Sequence, residues 1–279
     1  MIPFDFEYYA PDTIEEAIEL YQNLEAEDKK PLYYSGGTEI ISFSRHRKIV
    51  TGALIDLKGI ADTVVFAEEG EKLVVGSCVT LSALTEQERF PLLAEVVRGI
   101  ADRTVRNRLT LGGNICGHLP YREAVLPFLI GDADAFIAGP SGNRTIALVD
   151  IFDKRMRLEK GELLVKLFLP AEATKAGGWH KRREKHGPVD YPLLHIAALK
   201  LKNDGKLAVA VSGLCAYPFR DRALDELINE VSLSPEDKIE KSIGLLPGEI
   251  RADDLASADY RRALWQLDLA EMLQEMEGE

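Results

Sequence analysis

Two glycine pairs constrain this chain more than any other feature. The first, Ser35-Gly36-Gly37-Thr38, follows directly on Leu32-Tyr33-Tyr34, a short apolar run that reads as a strand. The second, Thr110-Leu111-Gly112-Gly113-Asn114, repeats the pattern. Paired glycines at a turn permit backbone that side chains would obstruct, and they let main-chain N–H groups converge on an anion. Ser35, Thr38, Thr110 and Asn114 add side-chain donors. Two such turns suit a pyrophosphate better than a single phosphate, because two charged groups must be held together. Neither turn fits G-x-G-x-x-G or the phosphate loop GxxxxGK[ST]. Either pair alone is also what an ordinary tight turn needs. The local pattern therefore reaches a candidate dinucleotide phosphate site and stops there.

The surrounding sequence reads as sheets and helices in separate blocks, an α+β architecture. Phe4, Phe6 and Tyr8 alternate as in a short strand. Thr13 and Glu16 have the spacing of a capping box, and Ile14, Ala17, Ile18 and Tyr21 then share one helical face. With the strands at 32–34 and 49–57 this makes a βαβ-like unit over roughly the first 55 residues. A hairpin is expected around Glu69-Gly70, joining 63–67 to 72–76. Helices are expected over 81–89 and 92–100. The second half of 104–117 is expected to be turn-rich backbone rather than helix, because of its glycines. A helix over 125–129 and strands over 135–138, 144–147 and 163–169 follow. Ala171 to Gly178 reads as a linker. Beyond it come strands at 195–201 and 208–216 around the turn Asn203-Asp204-Gly205, and helices at 222–229, 235–242 and 256–277. The expected division is 1–172, with subdomains of about 1–56 and 57–172, and a C-terminal unit over 178–279.

Composition excludes several function classes. The 279 residues carry 46 acidic and 34 basic side chains, a formal charge of −12, which disfavours nucleic acid and anionic lipid. The three cysteines, Cys78, Cys116 and Cys215, have no CxxC spacing and cannot form a four-cysteine iron–sulfur cluster. Their odd number and wide separation fit a reducing cytoplasm. No signal peptide or membrane span is expected. The five histidines, His46, His118, His180, His186 and His195, read individually as structural or surface groups, and none is assigned acid–base work.

At the glycine motifs the sequence resembles the FAD-binding medium subunit of molybdenum hydroxylases, the xanthine dehydrogenase and carbon monoxide dehydrogenase family. The similarity runs nearly end to end. It is carried by Phe6-Glu7-Tyr8-Tyr9-Ala10-Pro11, Ser35-Gly36-Gly37-Thr38-Glu39, Leu54-Ile55-Asp56-Leu57, Val75-Gly76-Ser77 and Val79-Thr80, and most specifically by Val105-Arg106-Asn107 leading into Thr110–Asn114. The resemblance implies the FAD-binding fold of the vanillyl-alcohol oxidase type, with two N-terminal α+β subdomains clasping the cofactor and a C-terminal α+β domain covering the flavin. It implies that Ser35, Gly36, Gly37, Thr38, Glu39 and Ile40, with Thr110, Gly112, Gly113, Asn114 and Gly117, wrap the pyrophosphate and adjoining sugar. It places Leu164 against the cofactor, Lys181 near the flavin and Tyr191 close to the isoalloxazine. Beside these stand plainer readings: Leu164 as core, Lys181 as part of a solvated basic run, and Tyr191 as a packing residue. Where the family carries a Ser-Asp pair after the second motif, this chain has Arg122-Glu123. Glu123 is then expected to accept from a ribose hydroxyl, and Arg122 to pair a phosphate.

The activity implied is that of an oxidoreductase subunit. FAD takes electrons from iron–sulfur centres on one partner and passes them to NAD⁺ or another acceptor. A molybdopterin subunit carries out the substrate chemistry, in a hetero-oligomer. Two alternatives share the fold: a scaffold that has lost its cofactor, and a self-contained flavin oxidase or reductase.

Overall fold

In the computed structural model, which describes residues 2–184, 191–201 and 205–277, a capped helix and three short strands build the first layer. Strand β1 (Glu7–Tyr9) leads to helix α1 (Ile14–Ala26), whose N-cap Thr13 hydroxyl accepts from the Glu16 amide at 3.1 Å. The Glu16 carboxylate reaches back to the Asp12 amide at 2.9 Å, one residue beyond the reciprocal partner of a standard capping box. Strand β2 (Leu32–Tyr34), helix α2 (Thr38–Arg45) and strand β3 (Ala53–Asp56) complete the layer. The order is β1-β3-β2 with both pairings parallel, and Leu54 opposes both Tyr8 and Leu32. Central β3 is wholly buried, and α1 presses Ile14, Ala17 and Leu24 onto it. The first glycine turn thus leaves the C-terminal end of a parallel strand, where open parallel sheets commonly present ligand sites.

A second sheet of five strands carries the largest core. After the short α3 (Ala61–Val64) come β4 (Phe66–Glu69) and β5 (Lys72–Gly76), a hairpin turning at Gly70. The expected strand start at Thr63 is helical instead. The Thr63 hydroxyl donates to the Leu57 and Ile60 carbonyls at 2.7 and 2.9 Å and holds the chain in a turn. Helices α4 (Leu81–Thr85), α5 (Pro91–Arg98), α6 (Arg103–Arg106), α7 (Leu111–Ile115) and α8 (Leu126–Ile130) then pack beside the sheet. Strands β6 (Asp134–Gly139) and β7 (Gly142–Ala147), helix α9 (Leu148–Ile151), the ribbon β8 (Phe152–Asp153) and β9 (Arg155–Met156), and strand β10 (Leu163–Pro170) finish it. The order β4-β5-β10-β6-β7 is antiparallel throughout, with a bulge in β10 between Leu164 and Lys166.

Two expectations are corrected here. Residues 111–115 are helical despite both glycines, because the Thr110 hydroxyl caps the Gly113 amide at 3.2 Å and the Gly112 amide donates to the Ser77 carbonyl at 2.7 Å. Tertiary contact outweighs the poor helix propensity of glycine. The stretch read as a linker contains α10 (Ala171–Thr174) and the start of the next strand, with Ala173 and Thr174 buried.

The last sheet is antiparallel, β11 (Gly177–Glu184), β12 (Pro192–Lys200), β13 (Leu207–Ser212) and β14 (Phe219–Arg220) in sequence order. Both its faces are covered, which accounts for the near-continuous apolar runs of β12 and β13. Ile196, Val209 and Val211 pack with Trp265, Leu269 and Met272 of the C-terminal helices, while Ala197, Leu199, Ala208 and Ala210 join the core of the second sheet. Those helices are α11 (Arg222–Ile228), α12 (Pro235–Ser242) and α13 (Ala258–Glu277). Of the expected turn, Asn203 and Asp204 lie outside the described residues, and Gly205 has a φ of +69°. The basic run on β11, read as a solvated face, is largely paired. Lys181 meets Glu271 at 2.6 Å, and Arg183 meets fully buried Asp268 at 2.6 Å.

Candidate functional site

The two glycine turns meet. Ser35 Oγ and Thr110 Oγ1 hydrogen-bond at 2.8 Å, joining the residue after β2 to the N-cap of α7. Gly36 packs so closely on the second segment that a Cβ there would fall on the Arg108 carbonyl oxygen. Gly37 has a φ of +67°, and a Cβ on it would strike the Tyr34 ring. Only glycine suits either position without rearrangement. Below the second turn, a Cβ on Gly112 would lie 2.6 Å from the Ser77 Cβ.

Between the turns is a cavity of about 220 Å³. Ser35, Gly36, Gly37, Thr38, Glu39, Ile40, Thr110, Gly113 and Gly117 line it, so nine of the expected residues converge. Leu32, Ile49 and Leu109 add apolar wall, and Cys116 and His118 complete one side. Helix α2 starts at this cavity with Gly37 as its N-cap and no side-chain cap. Its first amides therefore lack an intrahelical acceptor and carry the positive end of the helix dipole. Opposite-sign groups suited to an anion are thus present on backbone, held by residues too small to obstruct it. The cradle fits a phosphate group.

Glu39 lines the same cavity yet is engaged within the protein. Its carboxylate accepts from the His118 and Leu119 amides at 2.9 and 3.1 Å and from His118 Nδ1 at 3.0 Å. It braces α2 against the segment after α7. Lys58 is a neighbour that the sequence reading missed. Its ammonium lies 3.1 Å from the Ser35 carbonyl, 2.7 Å from Asp56, and 4.4 Å from the Tyr34 ring centroid. Asp56 also accepts from the Tyr8 hydroxyl, and that bond, with burial, pushes the hydroxyl up to about 12. The available signal was positional: Lys58 follows β3, the parallel neighbour of the strand that delivers the turn.

The remaining expected residues lie apart from this cavity. Gly112 supports the second turn from beneath, and the Asn114 Oδ1 accepts from the Ala124 amide at 3.1 Å. Leu164 is 5% exposed within the large core. Tyr191 stacks on Tyr121 with centroids 4.7 Å apart. Lys181 is tied to Glu271 as described. The Arg122 guanidinium, expected to pair a phosphate, donates to the Gly117 carbonyl at 3.3 Å and to the Lys154 carbonyl at 2.5 Å. Glu123 turns inward, only 4% exposed, and accepts from Arg182 Nε at 2.8 Å while bonding His195 Nδ1 at 2.7 Å. Burial pushes the Glu123 carboxyl up, but His195 and Arg182 outweigh it and hold it below the usual range. His195 in turn lies 3.4 Å from His180, whose pKa is lowered to about 4 by burial and by His195.

A model of the FAD-binding domain in molybdopterin dehydrogenase matches residues 4–172, which include both glycine turns and the cavity. The chain belongs to this family. Its cofactor is FAD, and the fold is the family's α+β FAD-binding fold. The chain is 31% identical to the carbon monoxide dehydrogenase medium chain of Afipia carboxidovorans over 77% of its length and 75% of that protein. It is 27% identical to a xanthine dehydrogenase FAD-binding subunit of Escherichia coli, over 83% and 82% of the two chains. A solved carbon monoxide dehydrogenase from Hydrogenophaga pseudoflava superposes with a TM-score of 0.86 and 26% identity, covering 98% of each chain. Among the described residues, no helix is long and apolar enough to cross a membrane.

Proposed function

We propose that this chain holds the FAD pyrophosphate between the turns at 35–40 and 110–114 and relays electrons as the medium subunit of a molybdopterin-dependent dehydrogenase. The observation that carries the reading is the junction of the two turns. Ser35 bonds Thr110, Gly36 packs on Arg108, and the uncapped start of α2 opens into the cavity they enclose. Bound FAD supplies the capacity to accept and release electrons one or two at a time. The chain contributes backbone amides for the phosphates, an apolar wall at Leu32, Ile49 and Leu109, and the Glu39 brace that keeps α2 against the second turn.

Three cysteines are too few for a four-cysteine cluster. The electrons accordingly come from an iron–sulfur chain, with substrate oxidised on a molybdopterin chain, in a hetero-oligomer of the kind that the relatives' names as medium chains and FAD-binding subunits imply. The acceptor is NAD⁺ or another oxidant meeting the flavin from solution, and the working compartment is the cytoplasm.

Titration of the purified chain with FAD, followed by visible absorbance and flavin fluorescence, tests the cofactor site. Saturable one-to-one binding is expected, abolished by Gly36→Val. A folded chain that takes up no FAD overturns the reading. In the assembled complex, substrate is expected to reduce the flavin, and NAD⁺ added afterwards distinguishes it from other acceptors by reoxidising it.

A further inference from the structure

The segment 117–124 is held in a costly conformation with no cavity-lining role of its own beyond 118. Arg122 has a φ of +37°, a left-handed conformation that costs a non-glycine residue about 1–3 kcal/mol. It is nevertheless 7% exposed, so its guanidinium is buried as well. Its partner carbonyl belongs to Lys154, itself at a φ of +65°. Strain of this kind survives only where the surroundings over-determine it. Those surroundings point two ways. One arm runs from Arg122 to the Gly117 carbonyl, and Gly117 lines the cavity beside Glu39. The other runs from Glu123 to Arg182 on β11 and His195 on β12. The base of both arms is fixed to the second glycine turn, since Asn114 accepts from the Ala124 amide. The same stretch is anchored at Tyr121, whose carbonyl accepts from the Ser212 hydroxyl and whose ring stacks on Tyr191.

We propose that Arg122 and Glu123 are positioning residues, a two-armed brace that ties the cavity wall at Gly117 to the C-terminal sheet, and that neither touches the cofactor. This rests on the reading of the cavity as the FAD pyrophosphate site. The arms differ in what they control. Arg122 sets the cavity wall and so acts on any ligand held by the turns. Glu123 secures the C-terminal sheet and acts on stability. A buried carboxylate paired with a guanidinium and an imidazole is costly to leave half-satisfied, so cutting one partner destabilises strongly.

The test uses the full chain with FAD and ADP as separate probes. Arg122→Gln is expected to raise the Kd of both by a similar factor, about tenfold, as one charged hydrogen bond holding the wall is lost. Arg122→Lys, which can still donate to a carbonyl, is expected to recover most of that loss, and a general folding defect would not give such rescue. Glu123→Gln is expected to lower the thermal midpoint while leaving both Kd values within about threefold. Its effect and that of Arg182→Gln should be non-additive in the double variant. A Glu123→Gln chain with an unchanged thermal midpoint and a tenfold weaker FAD complex would show a direct cofactor contact and overturn the brace. So would strictly additive Glu123 and Arg182 effects. Failure of the wild-type chain to bind either probe would sink the cavity reading and the Arg122 arm, while the thermal cycle would still decide the Glu123 arm.

Discussion

The two glycine turns look alike in sequence and are built in opposite ways. The first is half-buried, has a left-handed glycine, and starts α2 with no cap. The second is embedded: Thr110, Leu111 and Gly112 are buried, Thr110 caps its own helix, and Thr80 bridges to Thr110. The first turn offers free helix-start amides, whereas the second is anchored in the core and reaches the cavity through Thr110 and exposed Gly113. The difference comes from what each must pack against. The first lies over the edge of a small parallel sheet, whereas the second sits on Ser77 at the end of β5, in the main core.

The largest effects should separate these roles. Gly36→Ala puts a methyl on the Arg108 carbonyl in a turn with little core of its own. FAD affinity is expected to fall by about a hundredfold, with a small change in thermal midpoint, since the strain falls on the binding conformation. Gly112→Ala forces a methyl toward Ser77 inside the core, so stability should fall by about 1–3 kcal/mol, read by urea unfolding. If Gly112→Ala costs affinity without stability, the second turn is not scaffold.

This asymmetry marks the limit of what the sequence disclosed. Strand β2 and the glycines after it were legible because local pattern and turn chemistry agree there. So were the Thr13 cap and the β4–β5 hairpin. Helix α7 was not, because glycine's propensity argues against a helix and the deciding contact, Gly112 to Ser77, spans two elements. Strand β11 was hidden for a related reason. Its Lys181-Arg182-Arg183 run resembles a solvated face, and its partners, Glu271, Glu123 and Asp268, are far away in the chain. The inward turn of Glu123 was invisible from the motif because a carboxylate beside a sugar site and a carboxylate in an ion pair are the same letter.

A middle-sized effect probes the bond that joins the turns. Thr110→Ala removes both the cap on Gly113 and the contact with Ser35. The lost cap should cost about 1 kcal/mol. Thr110→Ser retains both bonds and should behave as wild type in the same unfolding measurement. Ser35→Ala removes only the junction, and is expected to weaken FAD binding with little change in stability.

Acid should loosen the second turn before the first. His180 has a folded-state pKa near 4, below its ordinary value of 6.5. Its neutral form is favoured by folding, so this contribution is fully present above about 6.5 and is lost as pH falls toward 4. The lowered Glu123 carboxyl acts in the same direction, its contribution fading as pH falls below the ordinary carboxylate range. Through Ala124 and Asn114 this network anchors the second turn directly, and it reaches the first only at second hand, through the Ser35–Thr110 bond and the Glu39 brace. Protection factors for amide exchange at Gly113 and Asn114 should therefore fall between pH 6.5 and 4 more than the protection factor at Ile41, whose amide donates to the Gly37 carbonyl in the first turn. An equal fall in protection at both turns would break the distinction.

The smallest effect concerns how an anion reaches the open turn of a chain with charge −12. The overall field repels a dinucleotide, so arrival depends on local charge. Arg45 ends α2, and His46, Arg47 and Lys48 continue the exposed run up to cavity-lining Ile49. The Lys48 ammonium lies 5.9 Å from the Phe43 ring centroid, and Phe43 meets His118 edge-on at the cavity. Replacing Arg45, Arg47 and Lys48 together by Gln should lower the association rate of FAD by about threefold to tenfold at low salt and leave dissociation unchanged. At about 1 M salt, where screening acts within ~3 Å, variant and wild type should associate equally fast. A change confined to dissociation would mean that these cations hold the bound cofactor, and the first turn would then be less open than its backbone geometry implies.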